Sequence, residues 1–393
     1  MLSRTARTPE GAIVLGGAQG SLGVVRSLGR RGIPVWLLTN DNLLARFSRY
    51  VRRAPAWPRL SSPSLEAEYL LGLAKKHELN GWALFPGSDL EAEMIARNHA
   101  RLAERYLLTT APWDVLQWAC DKRLICRRAA ELGVDQPPSY NPRTLDEAAA
   151  LDCRFPMVLK PAVKKTESSL RAAKAWRVDN REQLLARYAE ACAQMDCEEI
   201  LLQELVPAST KEQCSYGGLW IDGRPVASVT ARCLRQLPLD FGCATYVLTV
   251  EEPEVEEIAG RFLAGIGYTG LVEIEFKRDR RDGRYKMLDV NPRIWAWHSL
   301  TRRAGVDFPA LMWRHLSGET VAPVRARAGV AWIHMARDVI AAFQEIRRGA
   351  LAPVEYFNSL RGPLEFAAMT SDDPLPGCAD FPLLAGRALK RAM

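Results

Sequence analysis

The chain has no apolar run of about 18 residues, so no membrane-spanning helix is expected. Its opening, MLSRTARTPEGAIVLGG, carries basic residues but passes straight into a short strand-like run and a glycine turn, which is not a secretory pattern. The nine cysteines are scattered, none forms a CxxC pair, and Cys192 with Cys197 has no companion pair. Zinc-ligand spacing and a disulfide framework are therefore not expected, and a reducing cytoplasm fits best. A GxGxxG fingerprint is missing too. In Gly16-Gly17-Ala18-Gln19-Gly20-Ser21, Ala18 or Gln19 stands where the second glycine is required, although Asp41 follows as a ribose-binding acid would. A nicotinamide cofactor is not expected, while a helix start in an open sheet still suits a substrate carboxylate or phosphate.

What is present describes an ordinary globular protein. The 393 residues predict two or three domains, and 48% hydrophobic with 25% charged residues is usual for a packed, soluble chain. A net charge of +7 favours anionic ligands, but the basic residues are dispersed. Arg46, Arg49, Arg52 and Arg53, interleaved with Phe47 and Tyr50, form the densest cluster and read as a solvated loop rather than a nucleic-acid surface. Neither a nucleic-acid nor a membrane partner is expected.

Residues 11–110 alternate between strand and helix patterns: strands at Ala12–Leu15, Pro34–Leu38 and Trp82–Phe85, and helices at Ser21–Arg31, Leu65–His77 and Asp89–Ala103. Such alternation predicts a parallel α/β sheet. From Pro112 the pattern changes to an α+β succession: a helix over Trp113–Leu132, a proline-bounded strand at Pro156–Pro161, a strand over Ala172–Val178, a helix over Arg181–Met195, a strand at Ile200–Val206, and a hairpin around Asp222-Gly223. Ala331–Arg348 reads as a strand and then a helix, and the tail after Gly349 is rich in proline and glycine and suggests packing only.

The most informative stretch is Gly270–Arg293. Val272, Ile274 and Phe276 alternate with Glu273, Glu275 and Lys277; on the return, Leu288 and Val290 alternate with Met287, Asp289 and Asn291. Period-two alternation marks half-buried strands. A three-residue loop, Arg281-Asp282-Gly283, would pair Arg280 with Arg284, Glu275 with Asp289 and Glu273 with Asn291. Three acids and an amide then share one face. Opposed carboxylates repel unless a cation lies between them, and hard oxygen ligands suit Mg²⁺ or Mn²⁺. A two-residue Asp-Gly turn would split Glu275 and Asp289 between faces, and a solvated charged hairpin is the competing reading. Asn291-Pro292-Arg293 favours the metal reading, because Arg293 projects just past the acids where it could hold an anion.

With these residues in order, the chain resembles the ATP-grasp superfamily over about residues 11–320. A lysine opens a helix at Asp121-Lys122, another closes a strand at Leu159-Lys160-Pro161, a strand and linker follow at Leu202–Pro207, and Glu275 precedes Leu288–Arg293. The resemblance is greatest to bacterial carboxylate–amine ligases, with carbamoyl phosphate synthetase and biotin carboxylase in the same group. It implies an α/β and α+β architecture: a Rossmann-like pre-ATP-grasp domain over 1–112, an ATP-grasp domain over 113–320 with a lid at about 150–206, and a helical or irregular extension over 321–393. It also implies site roles. Lys122 and Lys160 would contact ATP phosphates, with Lys174 a further candidate; Gln203, Glu204, Leu205 and Val206 would form the adenine linker; Glu212 would bind ribose. Glu275, Asp289 and Asn291 would hold two magnesium ions, and Arg293 would stabilise the transferring phosphoryl group. Two features depart from the family pattern: the phosphate loop Ala162–Ser169 has no glycine, and Asp289 stands where glutamate is more frequent.

The activity so implied is amide-bond formation through an acyl phosphate on an amino acid or small peptide-like acid, with catalysis by positioning and charge. Arg232 and Arg235 are candidate clamps for the acid's carboxylate, and Gly17–Ser21 with Pro86–Asp89 would line the substrate side. His298, after Trp295-Ala296-Trp297, reads as a packed surface histidine. A carboxylase or kinase acting on a small acid, and a non-catalytic nucleotide module, are the alternatives. A homodimer, common in the family, stays open.

Overall fold

The computed structural model describes residues 8–392 except 41, 59, 61 and 164–174, and of 388–392 only the backbone. Asp41, Lys174 and the phosphate-loop residues from Lys164 to Ser169 therefore lie outside the described residues.

Five short strands form a parallel sheet: β1 (Ala12–Leu15), β2 (Val35–Leu38), β3 (Val51–Arg53), β4 (Trp82–Phe85) and β5 (Tyr106–Leu108), ordered β3-β2-β1-β4-β5. β1, β2 and β4 are buried throughout, as continuous apolar runs in a parallel sheet should be. The strand order reverses between β1 and β4. The carboxyl end of β1 feeds the helix α1 (Gln19–Gly29); α2 (Pro63–His77) precedes β4, whose carboxyl end feeds α3 (Asp89–Arg97) and then α4 (His99–Ala103). Ligands of open α/β sheets bind in the crevice at such a switch point. Gly16 turns the chain out of β1 with φ +75°, a conformation that favours glycine.

The second sheet has eight strands. β10 (Gln213–Ile221), β11 (Arg224–Leu237), β12 (Cys243–Val250), β13 (Gly270–Arg278) and β14 (Tyr285–Asn291) are joined by β15 (Val324–Arg325), β16 (Ala331–Ile333) and β17 (Leu364–Phe366). The order is β14-β13-β10-β11-β12-β16-β17, with β15 beside β11. β12 and β17 are not among the strands the sequence predicts. Residues after 320 thus extend this sheet as well as forming helices: β16 is the strand expected at the start of Ala331–Arg348, and β17 corrects the helical or irregular reading of the rest. One face packs on α1 through Leu219, Val229, Val247, Trp295 and Trp332. The other packs Cys214, Val272, Ile274 and Phe276 on α5 (Trp113–Cys120), α6 (Lys122–Glu131) and the helix Pro253–Gly265, whose ranges complete the layer.

The third sheet, β6 (Ser139–Tyr140), β7 (Met157–Pro161), β8 (Trp176–Val178) and β9 (Ile200–Glu204), is antiparallel with order β6-β9-β7-β8. It carries its own small core around Met157, Leu159, Leu184 and Tyr188.

Two local findings differ from the sequence reading. The single helix expected over Trp113–Leu132 is two, broken at Asp121, whose extended backbone and side-chain bond to the Arg123 N–H make it an N-cap. Cys192 and Cys197 are joined as a disulfide, because the chain turns back on itself between the helix Arg181–Cys192 and β9; the other seven cysteines form no disulfide. Among the described residues no helix is long and apolar enough to cross a membrane.

Candidate active site

The acidic hairpin places Glu275 opposite Asp289 and Glu273 opposite Asn291, the pairing counted from sequence. The route to that pairing is different. The turn is one residue longer than expected: the Asp279 N–H donates to the Arg284 carbonyl at 2.9 Å, and Arg278 pairs with Tyr285. Alone, this register would set Leu288 against Glu275. A β-bulge between Glu275 and Phe276 restores the count, with Phe276 opposite Met287. Leu288 is the additional residue. Met287 and Val290, three apart, therefore both enter the core with Ile274 and Phe276, and Leu288 does not. The expected apolar pair Leu288/Val290 is corrected to Met287/Val290.

On the open side of this hairpin the polar groups converge. The Asn291 amide nitrogen lies 3.4 Å from Glu273 Oε2 and 3.5 Å from Glu275 Oε1. Its oxygen accepts from Arg293 at 3.1 Å. Gln213 donates to Glu275 at 3.2 Å, and the Trp297 indole donates to Glu273 at 2.8 Å. Burial, reinforced by the neighbouring Glu275 charge, pushes the Glu273 carboxyl well above the usual range. Glu273, the third acid of the face, had no assigned role in the sequence reading. Its position two residues before Glu275 was the available signal.

Both expected lysines reach this cluster. Lys122, at the first position of α6 after the Asp121 cap, sets its ammonium 3.1 Å from Asp289 Oδ1. Lys160, near the end of β7, donates to Gln203 Oε1 at 2.8 Å and approaches the bulged Leu288 carbonyl at 3.4 Å. Burial first, and the Lys122 charge second, lower the Lys160 ammonium to about 8.

The linker continues from β9. Gln203 is held between Lys160 and Ser139. The Glu204 carboxylate accepts from Tyr140 and the Arg154 N–H and lies 3.5 Å from Arg281. The N–H groups of Glu204 and Leu205 go to the carbonyls of Pro138 and Pro156. Val206 N–H has no backbone partner among the described residues, which leaves it available to a planar base edge. Glu212 closes a capping box with Ser209 and pairs with Arg280 at 2.7 Å; that bond holds its carboxyl down at about 2.

Arg293 points from the end of β14 toward the switch-point crevice, 3.2 Å from Asp89. Asp89 is positioned by a capping box at the start of α3: Ser88 accepts from the Glu91 N–H, and Glu91 accepts from the Gly87 and Ser88 N–H groups at 2.8 Å each. A cleft lined by Asp89, Glu93, Cys120, Lys122, Val163 and Val290 opens beside it.

Two expected clamps are not brought here. Arg232 pairs across the sheet with Cys214, which pairs with Phe276, so it stands on the face opposite Glu275; its guanidinium is 2.9 Å from Glu252. Arg235 is buried, bidentate to Asp338 and stacked on Tyr246 at 4.1 Å, so its donors are already engaged. Strand parity, read from the wrong side, accounts for Arg232. His298 is buried rather than at the surface: its Nε2 meets the Gly20 carbonyl at 2.9 Å, and burial lowers it to about 4, so the ring is neutral and donates.

Among the described residues, no three His, Cys, Asp or Glu side chains converge into a ready-made cage for a metal. Two opposed carboxylates nevertheless fit magnesium, which is commonly bound by one or two carboxylates together with substrate phosphates, and Asn291 would add its oxygen with the amide turned over, since its nitrogen now faces the acids. The lysines on either side suit those phosphates.

No protein-family model matches the chain. It is 26% identical over 234 residues to the carbamoyl phosphate synthase large chain of Gemmatimonas aurantiaca, across 56% of this chain and only 20% of that protein. It is 23% identical over 302 residues to the D-aspartate ligase of Enterococcus faecium, across 72% of this chain and 70% of the relative. Among solved structures, the biotin carboxylase domain of Hydrogenobacter thermophilus 2-oxoglutarate carboxylase, in complex with MgADP, ADP and bicarbonate, superposes with a TM-score of 0.64 at 19% identity, covering 81% of this chain and 73% of that one. L-amino acid ligase from Bacillus licheniformis gives 0.61 at 15% identity, covering 80% and 78%. These neighbours share the ATP-grasp fold, and this chain has it.

Proposed function

We propose that the chain is an ATP-dependent carboxylate–amine ligase that joins an amino acid or small peptide-like acid to an amine through an acyl phosphate. The observation that carries this reading is the direct opposition of Glu275 and Asp289 on one sheet face, flanked by Asn291, Lys122, Lys160 and Arg293. Glu275, Asp289 and Asn291 would hold magnesium, which would supply positive charge to offset that of the nucleotide phosphates, and Mn²⁺ would satisfy the same oxygen donors.

The remaining work falls to the protein's own groups. Lys122 and Lys160 offset charge on the phosphates. Val206 and its linker neighbours hold the base, and Glu212 the ribose once Arg280 yields. Arg293, at the end of β14, neutralises charge on the acyl phosphate as it forms and as the amine displaces phosphate. No nucleophilic side chain is required, because holding acid, phosphoryl group and amine together supplies the acceleration. The curated D-aspartate ligase and the L-amino acid ligase structure favour an amino-acid substrate. Cytoplasmic location and a homodimer belong to the same proposal.

The biotin carboxylase likeness favours, as a second reading, phosphorylation of a bicarbonate-like acid. A screen of ADP release across acid and amine panels, with mass detection of products, separates them. The ligase releases ADP only with acid and amine together. Release with acid alone indicates the second reading, and ATP binding without turnover on any pair indicates a non-catalytic module.

A further inference from the structure

The disulfide Cys192–Cys197 lies against the elements that carry Lys122 and Lys160. Cys192 is the last residue of the helix Arg181–Cys192, and Cys197 opens the short turn into β9, with Cα atoms 5.0 Å apart. No residue from Cys192 to Cys197 is buried, and both cysteines are partly exposed, so an external thiol can reach the bridge. The other seven cysteines form no disulfide, so the chain is not a disulfide scaffold. A lone exposed bridge beside free thiols has the character of a labile, redox-sensing bond rather than a structural one.

The residues just after Cys197 give their carbonyls to the nucleotide side of the protein. Glu198 accepts from the Arg123 guanidinium at 2.9 Å and from Asn141 at 3.2 Å. Arg123 also holds Asp121, the cap of α6, at 3.0 and 2.6 Å. Glu199 accepts from the Ala162 N–H at 2.7 Å, and Ala162 in turn accepts from the Lys122 N–H at 3.1 Å. Ile200 then pairs with Pro161, and Leu201 with Lys160. The start of α6 and the end of β7 are both tied to this segment. Little else fixes the loop that precedes it: Cys192, Met195 and Cys197 pack only partly on the core of the third sheet, and Ala193, Gln194 and Asp196 are exposed. Such segments open locally at low cost, and a covalent loop removes that freedom.

We propose that Cys192–Cys197 is a reversible thiol–disulfide site that tunes nucleotide affinity. Oxidised, it fixes the carbonyls of Glu198 and Glu199, and through them the placement of Lys122 and Lys160; reduced, it releases them and binding weakens. The reductant is a dithiol. Its thiolate attacks one sulfur, the Cys192–Cys197 bond breaks, and the departing cysteine takes up a proton. The reductant's second thiol then attacks the mixed disulfide and frees the other cysteine. The protein gains two electrons and two protons, and the reductant ends as a disulfide. The proposal rests on the nucleotide site of the ligase reading, not on its acid or amine.

The test uses the protein oxidised with glutathione disulfide, the protein reduced with dithiothreitol, and the double variant Cys192→Ser/Cys197→Ser, which cannot form the bridge. Alkylation with peptide mass analysis counts the thiols. Calorimetry gives the affinity for magnesium-ADP, and amide exchange at Lys122 and Ala162 is followed without nucleotide. The reduced protein and the double variant should bind about 5-fold or more weakly than the oxidised protein, with faster exchange at both amides. By reciprocity, saturating nucleotide should make the bridge harder to reduce by the same factor, about 30 mV for a tenfold difference. Equal affinity of the oxidised and reduced protein overturns the proposal. So does a redox effect that persists in the double variant, which would assign it to another cysteine, or free thiols at Cys192 and Cys197 after oxidation. Binding of nucleotide by neither form defeats the ligase reading, and amide exchange then decides: equal rates in the two forms overturn the coupling, and slower exchange in the oxidised form upholds it.

Discussion

Lys160 shows how one side chain is set by two opposed demands. Its ammonium is lowered to about 8 by burial and by Lys122, yet phosphate binding needs it charged. In the nucleotide-free protein, kcat/KM for ATP should therefore fall as pH rises through about 8, and Lys160→Arg, charged throughout, should move that limb upward. Stability follows the opposite sign. The unfolded lysine, near 10.4, binds protons that the folded one has released, so folding gains between about pH 8 and 10.4 and bears the full penalty below. Lys160→Met should raise the stability of the nucleotide-free protein at pH 7 by roughly 1–2 kcal/mol in denaturant titrations while abolishing ATP turnover. Asp289→Asn should cut turnover by about 100-fold or more, with a native circular-dichroism spectrum and weakened magnesium-dependent nucleotide binding; unchanged ADP release would remove Asp289 from the ligand set. These groups were legible because their types and order are chemically specific: lysines at element ends, acids alternating in a strand. Arg232 was misjudged because a guanidinium's face depends on the parity of its own strand, which its local sequence does not state.

At the scale of elements, the hairpin β13–β14 is the instructive case. Alternation correctly announced two strands and the Glu275/Asp289 pairing. It could not reveal a longer turn and a bulge whose one-residue offsets cancel. Turn geometry here is set by side chains of Asp279 and Asp282, which accept from the Arg281 and Arg284 N–H groups. Deleting Leu288 tests what the bulge contributes. The pairings Phe276–Met287 and Glu275–Asp289 can persist in a regular ladder, so the protein should stay folded, with a melting temperature within a few degrees. Lys160 would lose its nearby carbonyl and Asp289 its altered aim, so kcat/KM for ATP should fall about 10-fold or more. Undiminished ATP kinetics would show that the bulge is incidental. The break between α5 and α6 was obscured in a similar way: continuous helix formers surround Asp121, and only its cap geometry and the contact of the Lys122 N–H with Ala162 end one helix and start the next. β12, Cys243–Val250, follows the turn at 238–242, which is longer than the Asp222-Gly223 pair and does not by itself fix a strand register.

For the whole molecule, the segment after 360 is a fastening rather than a loose tail. Asp373 takes Arg26 at 2.8 Å in a buried pair, and also accepts from Ser48 and the Arg49 N–H; Asp372 takes Arg30 and Tyr50. Hydrogen bonding to Arg30 holds the Asp372 carboxyl below the usual range despite partial burial. Removing one member of a buried pair leaves its partner charged and unpaired, so Asp373→Ala should destabilise the protein by about 3–5 kcal/mol in urea, with α1 losing amide-exchange protection first. Destabilisation below about 1 kcal/mol would mean that the pair is relieved by solvent. The division into a parallel sheet followed by a mainly antiparallel one was readable from periodicity, but this closure was not, because an Asp-Asp pair beside prolines looks like an ordinary turn. It has a consequence for synthesis. Arg26 and Asp373 are 347 residues apart, so the helix, made before its partner, must wait, its guanidinium hydrated, until the chain has grown as far as Asp373. Nascent chains halted short of that point would present a half-dressed first helix to chaperones and proteases.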